Sequence, residues 1–300
     1  MARSARHVLS LVALSLSAAF SLLWSAARSD AAEAVSGARI AAVSAAFLGR
    51  PYQLDPLGEG EGSVIDPDPL WRTDSFDCLT FVETVMALAQ THSDLAAHDQ
   101  LQRIRYRDGR IGFDSRNHFP EADWITNNVR AGFVSDVTPT VARTAGLGGE
   151  LAQAHGIVHR AQWLRSLAST SQAKRAAIDA LVSQAQDAIV DVPYLRLRGL
   201  STASLRAAVA ALPDGAILFI VRPNTNMLGK SGALTQLSHV GFALRNAAGV
   251  VLYRNASSTR AQRVLDTPFL GYLRRMQGTR SFAGIVVLRV LTLTDRAQMP

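Results

Sequence analysis

Residues 74–90, DSFDCLTFVETVMALAQ, constrain the fold more than any other stretch of the chain. Apolar side chains recur at Leu79, Val82, Val85, Met86 and Ala89, the spacing of a helix that buries one face. Asp74, Ser75 and Asp77 stand just before it, and such side chains accept hydrogen bonds from the free N–H groups of a first helical turn. The helix opens at Cys78, the only cysteine among 300 residues. A thiol there meets unpaired N–H groups and the positive end of the helix dipole, which favour the thiolate. The expectation is a reactive cysteine of lowered pKa, set against the plainer alternative of a small core hydrophobe.

Such a helix needs a surface to bury against, and the last third of the chain supplies one. From Val192 the pattern turns to strands: AILFIVR (216–222) after an LPDG turn, then LSHVGFAL (237–244), GVVLYRNAS (249–257) and GIVVLRVL (284–291). Helices followed by neighbouring strands predict an α+β domain, with N-terminal helices packed on a mostly antiparallel sheet. SGARIAAVSAAFLG (36–49) reads as an amphipathic helix ending at Gly49, and the Pro-, Gly- and Asp-rich stretch after it as loop. Its GEGEG run lacks the Lys-Ser/Thr of a phosphate loop, and its acids would repel phosphate. Residues 91–113 read as a short helix and two strands turning at Asp108-Gly109. DSRNHFPEADWITNNV, with Arg116, His118, Asp123 and Trp124, reads as an ordered loop entering a helix, a candidate substrate wall. Residues 135–190 are expected to add extra helices, with helical patterning at 161–190. His155 and His159, four apart, would place two metal ligands on one helix face, but no third ligand accompanies them. No metal or organic cofactor is expected.

Apolar content of 48% with 18% charged residues marks a globular chain, long enough for a sizeable core. The net charge of +7 is almost all arginine, since lysine occurs only at 174 and 230. The arginines are scattered and not gathered in an aromatic-laced stripe, so no nucleic-acid partner is expected. Arg3, Arg6 and His7, an apolar run from Leu9 to Trp24, and small residues near 29–31 read as an export signal over 1–31. An uncleaved anchor is the alternative. Removal of 1–31 takes away three arginines and one aspartate, lowers the charge from +7 to about +5, and leaves a domain at 36–295 with no stable membrane insertion. A lone thiol in an exported chain has no internal disulfide partner, which favours a chemical use for it.

Side chains alternate along a strand, so His239, Gly241 and Ala243 share one face, opposite Val240, Phe242 and Leu244. The small residues beside the histidine leave room for a helix to press on that face. A three-residue turn at 246–248 would pair Arg245 with Gly249 and set His239 opposite Asn255, ~5 Å away. A slip of one residue would break the match. Cys78, His239 and Asn255 would then be nucleophile, base and orienter, the set that acyl transfer from an amide needs. The Cys78 N–H would supply half of an oxyanion hole.

These residues carry a resemblance. FDC opening a helix, HVG on a strand, and a polar residue before Ala-Ser on the next strand resemble the NlpC-type superfamily of cell-wall cysteine amidases and peptidases. FDCLTFVETVMALA (76–89), RYRDGRIGFDSRNHFPEADW (105–124), SHVGFAL (238–244), NASSTRAQRV (255–264) and YLRRMQGTRSFAGIVVLR (272–289), with PY at 51–52, resemble one branch of it. That branch is the N-acetylmuramoyl-L-alanine amidase-like family, first catalogued as a domain of unknown function. The resemblance implies a papain-like core, Cys78 as nucleophile and His239 as base, with Asn255 where many relatives carry histidine. It also implies Tyr52 near the oxyanion site, Asp77 as a cap or substrate contact, and Arg116 and His118 lining the pocket. The implied substrate is peptidoglycan or its muropeptide fragments, cut at the muramoyl–L-alanine amide. A D-glutamyl endopeptidase, an acyltransferase and a non-catalytic wall-binding module are the alternatives.

Overall fold

The computed structural model of the chain describes residues 33–167, 170–226, 234–259 and 261–293. The expected export signal lies outside them. Nine α-helices and eight strands are present among the described residues. In chain order, α1 is Gly37–Ala45, α2 Cys78–Gln90, α3 Asp94–Arg105, α4 Ile125–Arg130, α5 Thr138–Thr144, α6 Arg160–Arg165, α7 Gln172–Val182, α8 Thr202–Ala210 and α9 Phe269–Gln277. The strands are β1 Val134–Asp136, β2 Leu151–Val158, β3 Ala188–Arg196, β4 Ala216–Asn226, β5 Leu234–Arg245, β6 Val251–Ser257, β7 Arg263–Pro268 and β8 Gly284–Val290. They form one sheet in the order β2-β3-β8-β4-β5-β6-β7, with β1 also paired to β8. Every ladder is antiparallel. The fold is α+β, as the sequence predicts, and no helix among the described residues is long and apolar enough to cross a membrane.

The apolar run AILFIV is buried on both faces, which a strand in the middle of a covered sheet requires. Ile217, Phe219 and Val221 of β4 face one core with Phe81, Val82 and Val85 of α2, Leu101 and Ile104 of α3, and Val240 and Phe242 of β5. Ala216, Leu218 and Ile220 face a second core, closed by Leu205 and Ala208 of α8 and Phe269 and Leu273 of α9. That second helical layer was not legible in the sequence.

Helix α2 is buried nearly all round and not on one face only. Its polar residues are therefore partnered inside. Glu83 accepts from Arg105 at 2.6 Å and from the Trp124 indole at 2.9 Å. Gln90 donates to the carbonyls of Phe133 and Leu291. A buried ion pair contributes little net stability, but breaking one by removing a partner costs ~3–5 kcal/mol. The Glu83–Arg105 pair thus fixes α2 against α3 through the penalty for losing it.

The stretch 135–190 is not only helical. It contains the short helices α5, α6 and α7, but also β2 and the start of β3, which form a hairpin. Ala154 and Val158 alternate inward along β2, while Leu151, Gln153, His155 and Ile157 face outward. With period-two burial, His155 stands on a strand and His159 just after it. Each pairs with its own aspartate, His155 with Asp191 and His159 with Asp187 at 2.7 Å. The two-ligand helix face is thereby replaced by two hairpin His–Asp contacts. The two strands expected around Asp108-Gly109 reduce to a single bridge, Tyr106 to Arg116.

Candidate active site

Asp77, not Asp74 or Ser75, caps α2. Its Oδ1 accepts from the N–H groups of Leu79 at 3.0 Å and Thr80 at 2.8 Å, and its own N–H donates to Thr80 Oγ1 at 3.0 Å. This reciprocal capping box starts the helix at Cys78 and occupies the carboxylate. The helix body lies on the Val240/Phe242 face, with Phe81 edge-on to Phe242 at 6.0 Å.

The β5–β6 ladder begins with Arg245↔Val251 and stops at Phe242↔Arg254. The turn is two residues longer than the sequence predicts, so the register is shifted by two and not by one. Parity survives that shift, and His239 and Asn255 stay on one face as diagonal neighbours. Continuing the register places Gly241 across from Asn255. A Cβ on Gly241 would lie 2.5 Å from the Arg254 carbonyl oxygen and 2.8 Å from Asn255 Cβ. Glycine therefore serves the neighbouring strand and the imidazole's diagonal reach, not a helix pressed on that face.

A bulge at Ser238 separates His239, which pairs with Ile220, from Leu237, which pairs with Val221. Leu237 turns into the α2-side core, while His239 faces the other way, edge-on to Tyr253 with centroids 5.9 Å apart. Bulges often re-aim a side chain beside an active site.

The imidazole Nε2 donates to Asn255 Oδ1 at 2.9 Å. Asn255 is 4% exposed, and its Nδ2 donates to the Tyr253 carbonyl at 3.3 Å, which fixes which amide atom faces the ring. A neutral histidine with its proton on Nε2 keeps a lone pair on Nδ1, the nitrogen free to accept a thiol proton. Cys78 and His239 line the same cavity, about 640 Å³ in volume, and the Val240 N–H next to His239 is aimed at the Cys78 sulfur. Thiol and imidazole are not hydrogen-bonded to each other among the described residues, a spacing common in sites without substrate.

Electrostatics here differ from the sequence expectation. Burial, then the Asp77 charge, pushes the Cys78 thiol up to about 12, and the N–H groups of Val240, Cys78 and Leu79 only partly offset this. The helix start does act on the thiol, but desolvation of the anion outweighs it. Burial also lowers His239 below its ordinary value, against the opposing effect of the hydrogen bond it donates to Asn255. Both groups rest neutral. Tyr52 lies beside them, its hydroxyl pKa raised by burial and then by Cys78 and Asp77. Its backbone N–H donates to the Gln262 carbonyl at 2.8 Å.

Arg116 and His118 line the same cavity. Arg116 is already engaged by Glu59 at 2.6 Å, Asp66 at 2.5 Å and Asp55 at 3.3 Å. His118 Nε2 donates to the Phe113 carbonyl at 2.7 Å, and its ring lies between Phe113 and Trp163. Burial and then Arg116 hold its pKa well below the ordinary range, so it stays neutral. The opposite wall includes Trp163 of α6 and Lys174 of α7, which the sequence did not single out. Among the described residues no group of three or more His, Cys, Asp or Glu side chains is placed to hold a metal.

A thiol, a base with its free nitrogen selected, and N–H groups at a helix start can attack an acyl carbon and return a proton to the leaving group. Comparison with known proteins identifies an amidase-like family. A family model described as N-acetylmuramoyl-L-alanine amidase-like (AmiA-like) matches residues 42–279. A Legionella pneumophila structure assigned to family DUF1460 is 28% identical over 85% of this chain and 89% of that one, with a TM-score of 0.77. A Bacteroides uniformis structure described as an N-acetylmuramoyl-L-alanine amidase is 26% identical over 85% of this chain and 99% of that one, with a TM-score of 0.59. No match was found among curated proteins.

Proposed function

This chain belongs to the N-acetylmuramoyl-L-alanine amidase-like family, and from that premise we propose that it is an exported, cysteine-dependent amidase that hydrolyses the muramoyl–L-alanine amide of peptidoglycan fragments. The observation that carries the cysteine mechanism is the Asn255–His239 hydrogen bond, because it leaves Nδ1 unprotonated beside the cavity that holds Cys78. We read the helix–strand–strand set as an NlpC-type, papain-like core on the resemblance of its motifs.

In this reading the neutral thiol gives its proton to His239 Nδ1 as sulfur attacks the lactyl carbonyl. Proton transfer accompanies attack because the thiolate is not formed in advance. The oxyanion sits at the α2 start, near the Cys78 N–H and Tyr52. Imidazolium then protonates the L-alanine nitrogen, the C–N bond breaks, and a muramoyl thioester remains. Water, deprotonated by the same nitrogen, hydrolyses the thioester and restores the thiol. Every step uses groups of this chain. Export rests on the basic and apolar N-terminal pattern, and the cationic surface suits an anionic wall polymer.

Mass spectrometry of muropeptides incubated with the protein tests the reading, beside Cys78→Ala. Free stem peptide beginning with L-alanine, formed only by the intact thiol, is expected. Release of L-Ala-D-Glu would move the cut to the D-glutamyl bond. No product from intact or anhydro-sugar substrates would favour an acyltransferase or a binding module.

A further inference from the structure

We propose that Arg222 is the subsite for a free carboxylate on the amine side of the scissile amide, so that the enzyme selects stem peptides whose second residue is an unamidated D-glutamate. This rests on the amidase reading and adds the substrate's charge state to it.

Arg222 lies on β4 two residues past Ile220, the register partner of His239. β5 carries one irregularity at Ser238, and β4 carries a second between Val221 and Thr225, where Arg222 stands. Val221 belongs to the α2-side core, and Arg222, next along the chain, lies within electrostatic reach of His239 and of Tyr272 on α9, which packs against the opposite core. Burial lowers the His239 pKa and the Arg222 charge adds to that, while burial raises the Tyr272 hydroxyl pKa and the Arg222 charge opposes it.

The guanidinium Nε is buried with no hydrogen-bond partner, and no carboxylate pairs with Arg222 among the described residues. Arg105 also has an orphaned Nε, but its other nitrogens reach Glu83 and the Leu57 carbonyl. The segment 227–233, MLGKSGA, contains no acid that could serve Arg222. A buried charged donor without an acceptor is costly, and folded chains rarely keep one without a use. The turn that carries it is fixed. Thr225 Oγ1 donates to the Arg222 carbonyl at 2.7 Å, Asn224 adopts φ 56°, and the Asn224 N–H donates to Gln236 Oε1 at 3.3 Å.

Direction follows from the chemistry. The imidazole that protonates the leaving amine must lie against it, so the peptide departs on the His239 side. The acyl portion then occupies the 640 Å³ cavity, whose wall does not include Arg222. One residue beyond the departing L-alanine amine comes the α-carboxyl of D-glutamate, an acceptor that guanidinium binds in a bidentate fork.

The test is calorimetric titration of the Cys78→Ala chain with N-acetylmuramoyl-L-Ala-D-Glu and with the same compound amidated at that carboxyl. The acid should bind tighter by about tenfold, the ratio that ~1.4 kcal/mol produces. Adding Arg222→Gln should bring the ratio to about one, and Arg222→Lys should keep part of it. Equal affinities without Arg222→Gln, no binding of either compound, or a ratio that survives Arg222→Gln would overturn the subsite. Turnover of the two compounds by the intact chain is scored separately: an acid preference in binding with no muramoyl–L-alanine cleavage overturns the bond assignment and leaves the subsite standing.

Discussion

The two sides of the cavity are built differently. On the side of the proposed chemistry, Cys78, His239 and Asn255 stand on α2, β5 and β6, elements locked by the apolar packing of the main cores. On the opposite wall, Arg116 gathers Asp55, Glu59 and Asp66, and His118 is held between aromatic rings. That wall has only a small apolar cluster of its own, with Ile65, Phe119, Trp163 and Ile178 among its members. Rigid elements hold reacting atoms to the tolerance that proton transfer needs. A polar wall can change with the substrate while leaving the chemistry in place. The comparison predicts that variants of the first side lose turnover, and that variants of the second lose binding or stability.

The largest effect expected is on His239. His239→Ala should lower kcat by ~10⁴-fold or more with the thermal midpoint little changed, as removal of a base from a unit does. A large loss of stability with it would blur the comparison. Asn255→Ala should lower kcat by ~10²-fold. Nitrogen NMR of the ring should show the Nε2–H tautomer of the parent replaced by a mixture. Next comes the wall. Arg116→Met leaves the nearly buried Glu59 beside Asp66 with no counter-charge, and should cost ~3 kcal/mol in chemical denaturation. Its KM should rise more than its kcat falls.

Much of the chemical side was legible because it depends on short-range rules. Asp77 announces the helix start, the apolar spacing after Cys78 gives α2, and HVG on an alternating strand gives the face of His239. The register was wrong by two because Asn246 closes a longer turn, its Oδ1 accepting from the N–H groups of Ala248 and Val250. Asn255 was still placed correctly because an even slip preserves the face. The Ser238 bulge and the burial of α2 are tertiary facts with no local signature. The helix-start argument for a thiolate left out one cost: capping can be read along the chain, but desolvation cannot. The wall was least legible, since the Arg116 cluster joins residues ~50–60 positions apart, well beyond any local spacing.

The smallest effect concerns pH. His239 has a pKa lowered by burial and must be neutral to act as base, so kcat/KM should rise with pH and level off at a lower pH than an ordinary imidazole would give. The thiol stands near 12, so alkylation of the resting protein by iodoacetamide should be slow at pH 7 and climb steeply above pH 9. Fast alkylation at pH 5–6 would show a preformed thiolate–imidazolium pair and would bring back the helix-start expectation.

The central claim is that the Cys78 sulfur becomes acylated. Intact-protein mass spectrometry after acid quench of a reaction with muropeptide addresses it most directly. The account predicts a transient adduct with the mass of the muramoyl group, mapped to Cys78 and absent in Cys78→Ala, together with free L-alanyl peptide. Undiminished peptide release by Cys78→Ala, with no adduct at any time on the parent, would contradict it.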